Sequence, residues 1–464
     1  MAKPLVQDRD LRRRIDGAYS QLREQLASLS PEVSEAPEDE GSVRARARTV
    51  ASKAALEMDS LWRDRPGAED GPIDVIDMFS GCGGMSAGFA AVNSLLPAYR
   101  LAMAVDIASE ANETYAANLG LKPLNADIGA LAEDPKELDR VVAASRRRPG
   151  HPLVLIGCAP CQGFSSHRNA AGAGDGRNNL FVMFAKIAAR LQPDAVVVEN
   201  VPELLTNQYW EYLQTAREIL GRKGYSVHVG IHNMAEFGVP QERFRTLLLA
   251  MKTPFTPLHP FLARERFRTV KQAIGSLRPI AAGERDPSDP MHYTAGHRDT
   301  TIATIRSVPK DGGNRSGDAG PDCLRRAEAK SGRAAYEDVY GRLFWNRPAI
   351  TVTAYARNPA SGRYVHPEQD RGLSVREAAL LQSFPSNYTF EGTLDERFRQ
   401  IGNAVPPAFA AFLGVHVLGE LLAPPAKKAA GIGVAKPVGP SFARLIPALK
   451  AGHRDLAGLS LPLR

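Results

Sequence analysis

Cysteine is scarce in this sequence, with four residues in a chain of 464. So few thiols exclude a disulfide framework and indicate a reducing compartment. Long apolar runs are also missing, since no uninterrupted stretch reaches the ~18 residues that a membrane-spanning helix needs. The first eight residues lead into charged ones without the apolar region of a signal peptide. We therefore expect a cytoplasmic protein that does not associate with a membrane.

Net charge and chain length narrow the class of protein further. The chain carries a net charge of +7 and has an isoelectric point of about 9.2. A basic balance favours a polyanionic partner such as nucleic acid, because cations placed on phosphates release condensed counterions. The length predicts two or three domains, and 44% hydrophobic residues are enough for a sizeable core.

Short, nearly continuous apolar strands alternate with helical segments between residues 72 and 250. We predict strands at 73–79, 100–106, 152–157, 195–199 and 246–250. This alternation is typical of an α/β fold with a doubly wound, mostly parallel sheet buried on both faces. In such sheets ligands bind beyond the carboxyl ends of the strands. The motifs described below lie at those ends.

Changes in residue composition and hydrophobic pattern divide the chain into five regions. Residues 1–70 predict a helical N-terminal extension, with an amphipathic helix over 9–29, an acidic linker over 31–42 and a second helix over 43–62. The regions that follow are the α/β unit at 71–250, a loop-rich lobe at 251–345, a return of regular structure at 346–423 and a tail at 424–464. The low complexity of the tail predicts flexibility, with a short helix near 442–450.

A glycine-rich turn follows the first strand, in the sequence Asp77-Met78-Phe79-Ser80-Gly81-Cys82-Gly83-Gly84. Glycines let the backbone approach a ligand closely, and the helix that follows offers free N–H groups to a carboxylate. The spacing differs from GxGxxG, so a dinucleotide is not favoured, whereas capture of an amino-acid carboxylate fits. The alternative is a tight strand-to-helix turn without a ligand.

Two further strands end in acidic residues, Asp106 before Ile107 and Asp127 before Ile128. A carboxylate at such a position can accept hydrogen bonds from both ribose hydroxyls of a nucleoside. The alternative for each residue is a helix N-cap.

Cys161 lies in a third motif, Pro160-Cys161-Gln162, at the end of a strand. The glycine-rich stretch that follows has the composition of a mobile lid, and its Arg and His residues can activate a thiol. The other cysteines, Cys82, Cys158 and Cys323, are interpreted as packing residues. We predict no metal site, because no second ligand pair matches the CxxC spacing of Cys158 and Cys161.

Glu199 and a pair of arginines belong to the last two motifs of the α/β unit. Glu199 ends a valine-rich strand, where partial desolvation favours the protonated carboxyl group and suits it to donate a proton. Alternation along the chain places Gln241, Arg243 and Arg245 on one face, and arginine is a natural partner for a carbonyl or phosphate oxygen. The alternatives are that Glu199 has a capping role and that the arginines lie on a solvated edge.

These segments, in this order, resemble the DNA (cytosine-5-)-methyltransferase family. The C-terminal part strengthens the resemblance, with Ser374-Val375-Arg376-Glu377, Gln382-Ser383-Phe384-Pro385 and Gln400-Ile401-Gly402-Asn403-Ala404-Val405. The resemblance covers roughly residues 72–420, apart from the lobe. It implies the Rossmann-like fold of S-adenosylmethionine-dependent methyltransferases, with 71–250 as the catalytic and cofactor-binding domain. The lobe at 251–345 stands where the family has its target-recognition domain, and 346–423 completes that lobe and returns to the catalytic domain.

The resemblance also implies a role for each site residue. The catalytic residues are Cys161 as nucleophile, Glu199 as acid, and Arg243 and Arg245 in support of the cytosine site. The pocket for S-adenosyl-L-methionine is formed by Asp77, Phe79, Ser80, Gly81, Gly83, Gly84, Asp106, Ile107, Asp127, Ile128, Pro160, Leu180, Asn403 and Val405. Substrate contacts fall to Gln162, Ser165, His167, Arg168, Arg177 and Asn200. Asp106 departs from the family, which more often has Glu there.

The implied reaction is methyl transfer to C5 of a cytosine flipped out of double-stranded DNA. The compact layout is typical of a bacterial, nucleoid-associated monomer that acts with or without a cognate restriction endonuclease. Candidate DNA contacts in the lobe are Arg264, Arg266, Arg268, Lys271, Arg315, Arg325 and Arg326. Two alternatives remain open, a transfer RNA cytosine methyltransferase and an inactive relative that only binds DNA. The arginine-rich lobe favours DNA over transfer RNA.

Overall fold

A seven-stranded sheet organises the computed structural model, which describes residues 9–30, 40–65, 71–159, 180–316, 319–322, 325–326, 338–427 and 430–450. The strands are β1 Ile73–Met78, β2 Tyr99–Asp106, β3 Leu124–Asn125, β4 Leu153–Cys158, β5 Ala195–Asn200, β6 Ser226–Asn233, β7 Gln241–Glu242, β8 Phe244–Met251 and β9 Ala349–Ile350. The order across the sheet is β3-β2-β1-β4-β5-β8-β6, and β7 pairs separately with β9.

Helices connect these strands within the described residues. They are α1 Arg9–Leu29, α2 Glu40–Leu56, α3 Met58–Arg63, α4 Gly84–Val92, α5 Ser109–Leu119, α6 Ile128–Glu133, α7 Pro135–Ala143, α8 Leu180–Leu191, α9 Trp210–Gly221, α10 Val270–Ile274, α11 Asp299–Ser307, α12 Val375–Leu381, α13 Leu394–Asn403, α14 Pro407–Leu422 and α15 Ile446–Lys450. Short 3-10 turns occupy Pro202–Leu205, Met234–Phe237, Arg264–Arg266, Pro359–Ser361 and Phe442–Arg444.

The predicted doubly wound α/β fold is confirmed. Strands β1 to β5 pair in parallel, and only β8 runs antiparallel to its neighbours β5 and β6. The chain leaves β1 towards β2 on one side, whereas β4 adds on the other side of β1. This reversal makes β1 and β4 the switch point at which ligands bind in such sheets. Sequence analysis predicted no strand at β6, whose histidine and glycine residues interrupt the apolar pattern.

Buried side chains form a core on each face of the sheet. Strand β1 contributes Val75 to one core and Met78 to the other, because successive side chains point to opposite faces. The first core includes residues of α2, α4, α12 and α14, and the second includes residues of α6, α8 and α9. The stretch Leu394–Leu422 is long and apolar enough to cross a membrane. However, 89% of an apolar 18-residue segment within it is buried inside the protein.

The N-terminal extension differs from the prediction in two details. The predicted helix at 43–62 is two helices, since α2 ends at Leu56 and α3 starts at Met58. Residues 40–42, predicted as linker, belong to α2, and 31–39 lie outside the described residues. Helix α1 packs on the body through Leu22 and Leu26, as its amphipathic pattern predicted.

The tail packs on the body of the protein over residues 430–450, and its flexibility stays a prediction. The backbone N–H of Val434 donates to the carbonyl oxygen of Val229 in β6 over 2.9 Å. Val438, Phe442 and Leu445 are buried in the second core. These apolar residues lie far apart along a polar stretch, and only the folded surface brings them to one place. The predicted terminal helix is a 3-10 turn followed by α15.

Several residues of the C-terminal motifs serve the fold. Ser374 caps α12, and its partner in the capping box, Glu377, also forms a buried ion pair with Arg371 at 2.7 Å. Burial alone would raise the pKa of Glu377, but the adjacent guanidinium group of Arg371 lowers it to about 2. A buried pair of this kind strongly opposes loss of either partner.

Candidate active site and cofactor pocket

The glycine turn after β1 has a backbone that most residues adopt reluctantly. Phe79, Gly81 and Gly83 all have positive φ angles of 60°, 50° and 87°. A Cβ atom on Gly84 would overlap the carbonyl oxygen of Val405, so the turn touches the C-terminal segment directly. The structure therefore brings Gly84 and Val405 together, as expected for two walls of one pocket.

Asp77 supports this turn from within the protein. Its carboxyl group is 2% exposed and accepts a hydrogen bond of 2.6 Å from Ser86 Oγ. The hydroxyl of Tyr115 donates in turn to Ser86 Oγ over 2.9 Å. Burial raises the pKa of Asp77 to about 7, Ser86 lowers it and the charge of Asp106 raises it. Sequence analysis did not identify Ser86 or Tyr115, because neither stands in a motif with a chemical signature.

Asp106 closes β2 beside the same turn. Its carboxylate accepts from the backbone N–H of Gly81 over 2.8 Å and from that of Ala108 over 2.9 Å. Burial raises the pKa of Asp106, against the lowering effect of these backbone donors. The next side chain, Ile107, is 66% exposed although it is large and apolar. An acid fixed by the turn and an uncovered apolar surface thus stand side by side.

Asp127 performs the capping role that the sequence left as an alternative. Its Oδ1 accepts from the backbone N–H groups of Gly129 and Ala130 at the start of α6, over 2.7 and 3.4 Å. Ile128 is buried. Leu180 begins α8, and its side chain lies 3.4 Å from the position that a Cβ on Gly129 would take. These residues of the predicted cofactor pocket are therefore neighbours in space.

These walls fit a ligand with an amino-acid end and a nucleoside end. Ser80 Oγ is buried and finds no hydrogen-bond partner within the described chain. A Cβ on Gly81 would meet nothing within 4 Å, so open space adjoins the turn. Polar and apolar surfaces left uncovered together are the ordinary features of a small-molecule site.

Glu199 has close polar partners at the end of β5. The side chain is 3% exposed, and its Oε1 lies 3.1 Å from Arg245 Nε. Cys158 Sγ donates to Oε2 over 3.1 Å. Sequence analysis anticipated the apolar surroundings of Glu199 but not the adjacent guanidinium group. Cys158 packs against the first core, as predicted, and its half-buried thiol also contacts this carboxylate. The alternation of side chains at the end of β4 was the sequence signal that could have indicated the contact between Cys158 and Glu199.

Gln241, Arg243 and Arg245 have different partners. Arg243 is 2% exposed and donates to the carbonyl oxygens of Val352, Gly402 and Ala404 over 3.1 to 3.2 Å. The amide nitrogen of Gln241 donates to the carbonyl oxygen of Leu381 over 2.9 Å. Arg243 thus holds the segment that carries Asn403 and Val405 beside the pocket, Gln241 contacts the end of α12, and Arg245 contacts Glu199.

The two strands that flank the predicted nucleophile are tied together at their ends. Cys158 pairs in register with Glu199, the last but one residue of β5. Asn200 Nδ2 donates to the carbonyl oxygen of Ala159 over 3.4 Å, and Asn200 Oδ1 accepts from the backbone N–H of Val201 over 2.8 Å. The chain thus enters residues 160–179 directly beside Glu199.

Several predicted site residues lie outside the described residues. They are Pro160, Cys161, Gln162, Ser165, His167, Arg168 and Arg177, all within 160–179. Cys82 is buried, and its burial raises its thiol pKa to about 12, in keeping with a packing role. Among the residues that the structure describes, no group of three or more His, Cys, Asp or Glu side chains is arranged to hold a metal ion.

A solved structure shares this fold. A DNA modification methyltransferase encoded within an Escherichia coli prophage aligns with a TM-score of 0.58 at 22% sequence identity, over 75% of this chain and 99% of that one. The sheet and its helices therefore form the Rossmann-like α/β fold found in methyltransferases.

Sequence comparison identifies the family. The family model for C-5 cytosine-specific DNA methylase matches residues 73–418. The Type II methylase M.HgiDII of Herpetosiphon aurantiacus is 32% identical over 74% of this chain and 94% of its own length. The Type II methyltransferase M1.HphI of Haemophilus parahaemolyticus is 33% identical over 75% of this chain and 87% of its own. The chain belongs to the C-5 cytosine-specific DNA methylase family and is a DNA (cytosine-5-)-methyltransferase.

Proposed function

We propose that this enzyme methylates C5 of a flipped-out cytosine in a specific double-stranded DNA sequence, with S-adenosyl-L-methionine as donor and Cys161 as nucleophile. The observation that carries the proposal is the Glu199–Arg245 pair, 3.1 Å apart at the end of β5. Cys158, three residues before Cys161, lies in register with Glu199 and contacts it. The last described residues before Cys161 therefore lie beside Glu199, the acid that the proposed reaction needs.

The cofactor assignment draws on the turn between β1 and α4. In this proposal Phe79, Gly81, Gly83 and Gly84 shape the methionine end, where Ser80 Oγ is a buried hydroxyl without a described partner. The nucleoside end lies against Asp106 and Ile107, with Asp127, Ile128, Pro160 and Leu180 on the adenine side and Asn403 and Val405 closing the pocket. Asp77 supports the turn through Ser86.

The chemistry of the chain's own residues follows from the substrate. C5 of cytosine is too weak a nucleophile to be methylated directly, so the Cys161 thiolate adds to C6 and raises the electron density at C5. Glu199 protonates or stabilises N3 during this addition, and Arg245 orients the carboxyl group. When bound, S-adenosyl-L-methionine supplies the electrophilic methyl group. Removal of the C5 proton then breaks the bond between Cys161 and C6.

A cytosine stacked in a duplex cannot reach such a pocket, so the base must be extruded. In this proposal the segment 163–179 covers it, with Gln162, Ser165, His167, Arg168, Arg177 and Asn200 contacting DNA. Residues 251–345 recognise the target sequence. A cavity of about 500 Å³ adjoins β7 and β9, where Arg264, Arg347 and Arg363 stand with Phe267 and Phe344. Glu242 and Glu265 also line this cavity, and Glu242 pairs with Arg264 at 3.5 Å, so in this proposal Arg347 is its cation for nucleic acid.

The biological setting is proposed from the relatives. M.HgiDII and M1.HphI carry the names of Type II methylases and methyltransferases. We propose that this enzyme protects a site that a cognate restriction endonuclease cleaves, and that it acts as a monomer in the bacterial cytoplasm.

Replacement of the nucleophile tests the mechanism. The Cys161→Ser variant is expected to lose at least 10³-fold in methyl transfer, because a hydroxyl is a far weaker nucleophile than a thiolate at neutral pH. Incorporation of labelled methyl groups into duplex DNA, followed by bisulfite sequencing, measures both rate and target. The matched control is Cys323→Ser, a cysteine of the lobe, which should retain activity.

Covalent trapping gives a second readout that does not depend on rate. DNA containing 5-fluorocytosine should form a stable adduct with the wild-type protein and none with Cys161→Ser. Methylation by Cys161→Ser at the wild-type rate would refute the proposed nucleophile. Methylation of bulk transfer RNA but not of duplex DNA would instead refute the proposed substrate.

A further inference from the structure

Residues 40–65 precede the span 73–418 that the family model matches, yet they are part of the main core. We refer to this segment, which contains α2 and α3, as the N-terminal brace. The buried residues of its inner surface, each at most 7% exposed, include Val50, Ala51, Ala54, Ala55, Met58, Leu61 and Trp62. A segment this deeply buried belongs to the folded enzyme and influences what it touches.

The brace is anchored on α14. Arg44 forms an ion pair with Glu420 at 2.8 Å, in which the Glu420 side chain is 2% exposed. Arg44 also donates to the carbonyl oxygen of Pro424 over 2.8 Å. These contacts set the direction in which α2 leads into α3.

The brace reaches the glycine turn through two aromatic rings. Trp62, 2% exposed, lies with its ring centroid 5.3 Å from that of the fully buried Tyr388. The hydroxyl of Tyr388 donates over 2.6 Å to the carbonyl oxygen of Cys82, within the turn. The same hydroxyl would lie 3.1 Å from a Cβ on Gly83. Tyr388 thus connects Trp62 to the backbone of the turn.

A second set of contacts ties the brace to the neighbourhood of Asp106. Asp59 Oδ1 accepts from the backbone N–H of Ser386 over 2.6 Å. Arg65 donates to the carbonyl oxygen of Asn118 in α5 over 2.8 Å. The Asn118 side chain bonds both backbone groups of Thr389, accepting over 3.1 Å and donating over 2.8 Å. The stretch 386–389 is therefore clamped between α3 and the helix that follows Asp106.

We propose that the N-terminal brace determines the affinity for the cofactor without touching it, by positioning the glycine turn through Trp62 and Tyr388. The inference rests on the proposed role of that turn in binding S-adenosyl-L-methionine. Phe79 in this turn adopts a φ of 60°, which is costly for a residue other than glycine, and the Tyr388 hydroxyl stabilises one form of the turn. Trp62 and Tyr388 are positioning residues, since they act through the backbone of Cys82.

The Tyr388→Phe variant tests the brace by deleting one hydroxyl while keeping the ring. We expect the dissociation constant for S-adenosylhomocysteine, measured by calorimetry, to rise about 2- to 10-fold, the range for loss of one hydrogen bond. The KM for DNA and the single-turnover rate at saturating cofactor should stay unchanged. Trp62→Leu, which removes the ring behind Tyr388, should also weaken binding.

Tyr225→Phe is the matched control. Tyr225 is a buried tyrosine whose hydroxyl donates to a backbone carbonyl oxygen, that of Pro193, over 2.6 Å, in the second core away from the turn. Tyr225→Phe should lose about as much thermal stability as Tyr388→Phe, but it should bind S-adenosylhomocysteine with the affinity of the wild type. Equal affinities for Tyr388→Phe and Tyr225→Phe would overturn the brace. Failure of the wild type to bind this ligand would refute the proposed cofactor site instead.

Discussion

Asp77 and Glu199 are both buried carboxyl groups near the ends of β1 and β5, the two strands that flank β4, but their surroundings differ. Asp77 has a hydroxyl donor in Ser86, and burial raises its pKa to about 7. Glu199 has the cation of Arg245 beside it at 3.1 Å. Burial thus favours the protonated form of Asp77 behind the glycine turn, whereas Glu199 lies beside a cation where cytosine is expected. The neighbours of each carboxyl group thus set its task.

Replacing Asp77 by Asn should stabilise the protein in a pH-dependent way. A carboxyl group with a raised pKa in the folded state contributes stability that is complete below its unfolded pKa, near 3.8, and is lost as pH rises through about 7. An amide pays no such penalty, and three pKa units correspond to roughly 4 kcal/mol. The melting temperature of Asp77→Asn minus that of the wild type should therefore be larger at pH 8 than at pH 5.

The comparison needs a control carboxylate on the surface. Asp134 is exposed and caps α7, a role that Asn performs equally well, so Asp134→Asn should change the melting temperature little at either pH. An Asp77→Asn difference that is the same at pH 5 and pH 8 would contradict the assignment of a raised pKa.

At the scale of elements, the contact between α2 and α14 holds the N-terminal extension to the catalytic domain. Small residues make this approach possible, since a Cβ on Gly419 would overlap the methyl group of Ala47. Glu420, the next residue of α14, carries the ion pair with Arg44. The close approach is why an alanine-rich helix with little amphipathic pattern is buried here.

Gly419→Ala is expected to destabilise the fold by about 1–3 kcal/mol, because the added methyl group must displace a packed backbone. Chemical denaturation measures the change in the free energy of unfolding. Gly221→Ala in α9 is the matched control, since a Cβ there meets nothing within 4 Å and alanine favours a helix. It should be neutral or slightly stabilising. Equal effects of the two substitutions would show that α2 is not closely packed on α14.

The whole molecule carries a net charge of +7, which bears on DNA binding rather than on the fold. Each phosphate that a cation neutralises releases counterions, so the logarithm of the DNA association constant should fall linearly with the logarithm of salt concentration. For about 6–10 phosphate contacts the slope is roughly −5 to −9. Fluorescence anisotropy between 50 and 200 mM salt measures it. Binding of S-adenosylhomocysteine should change little over the same range, and a salt-independent DNA affinity would contradict an electrostatic interface.

Much of the α/β unit could be predicted because its strands are buried on both faces. Continuous apolar runs such as 195–199 then identify strands whatever they pack against. Strand β6 was not predicted because polar residues interrupt its apolar pattern. The packing of the tail was not predicted because its three scattered apolar residues have no period. The break between α2 and α3 likewise has no strong local signal, such as proline or glycine.

The sequence by itself indicated the family and most strands of the sheet, and it predicted Cys161, Glu199 and the glycine turn as features of the site. These features are local, since each depends on residue types at fixed spacing. Only the tertiary structure decided that Arg245 and Cys158 contact Glu199, that Arg243 holds the segment carrying Asn403, and that Trp62 supports the glycine turn through Tyr388. Partners 41 to 326 residues apart meet because of chain topology, and no local pattern records such a meeting.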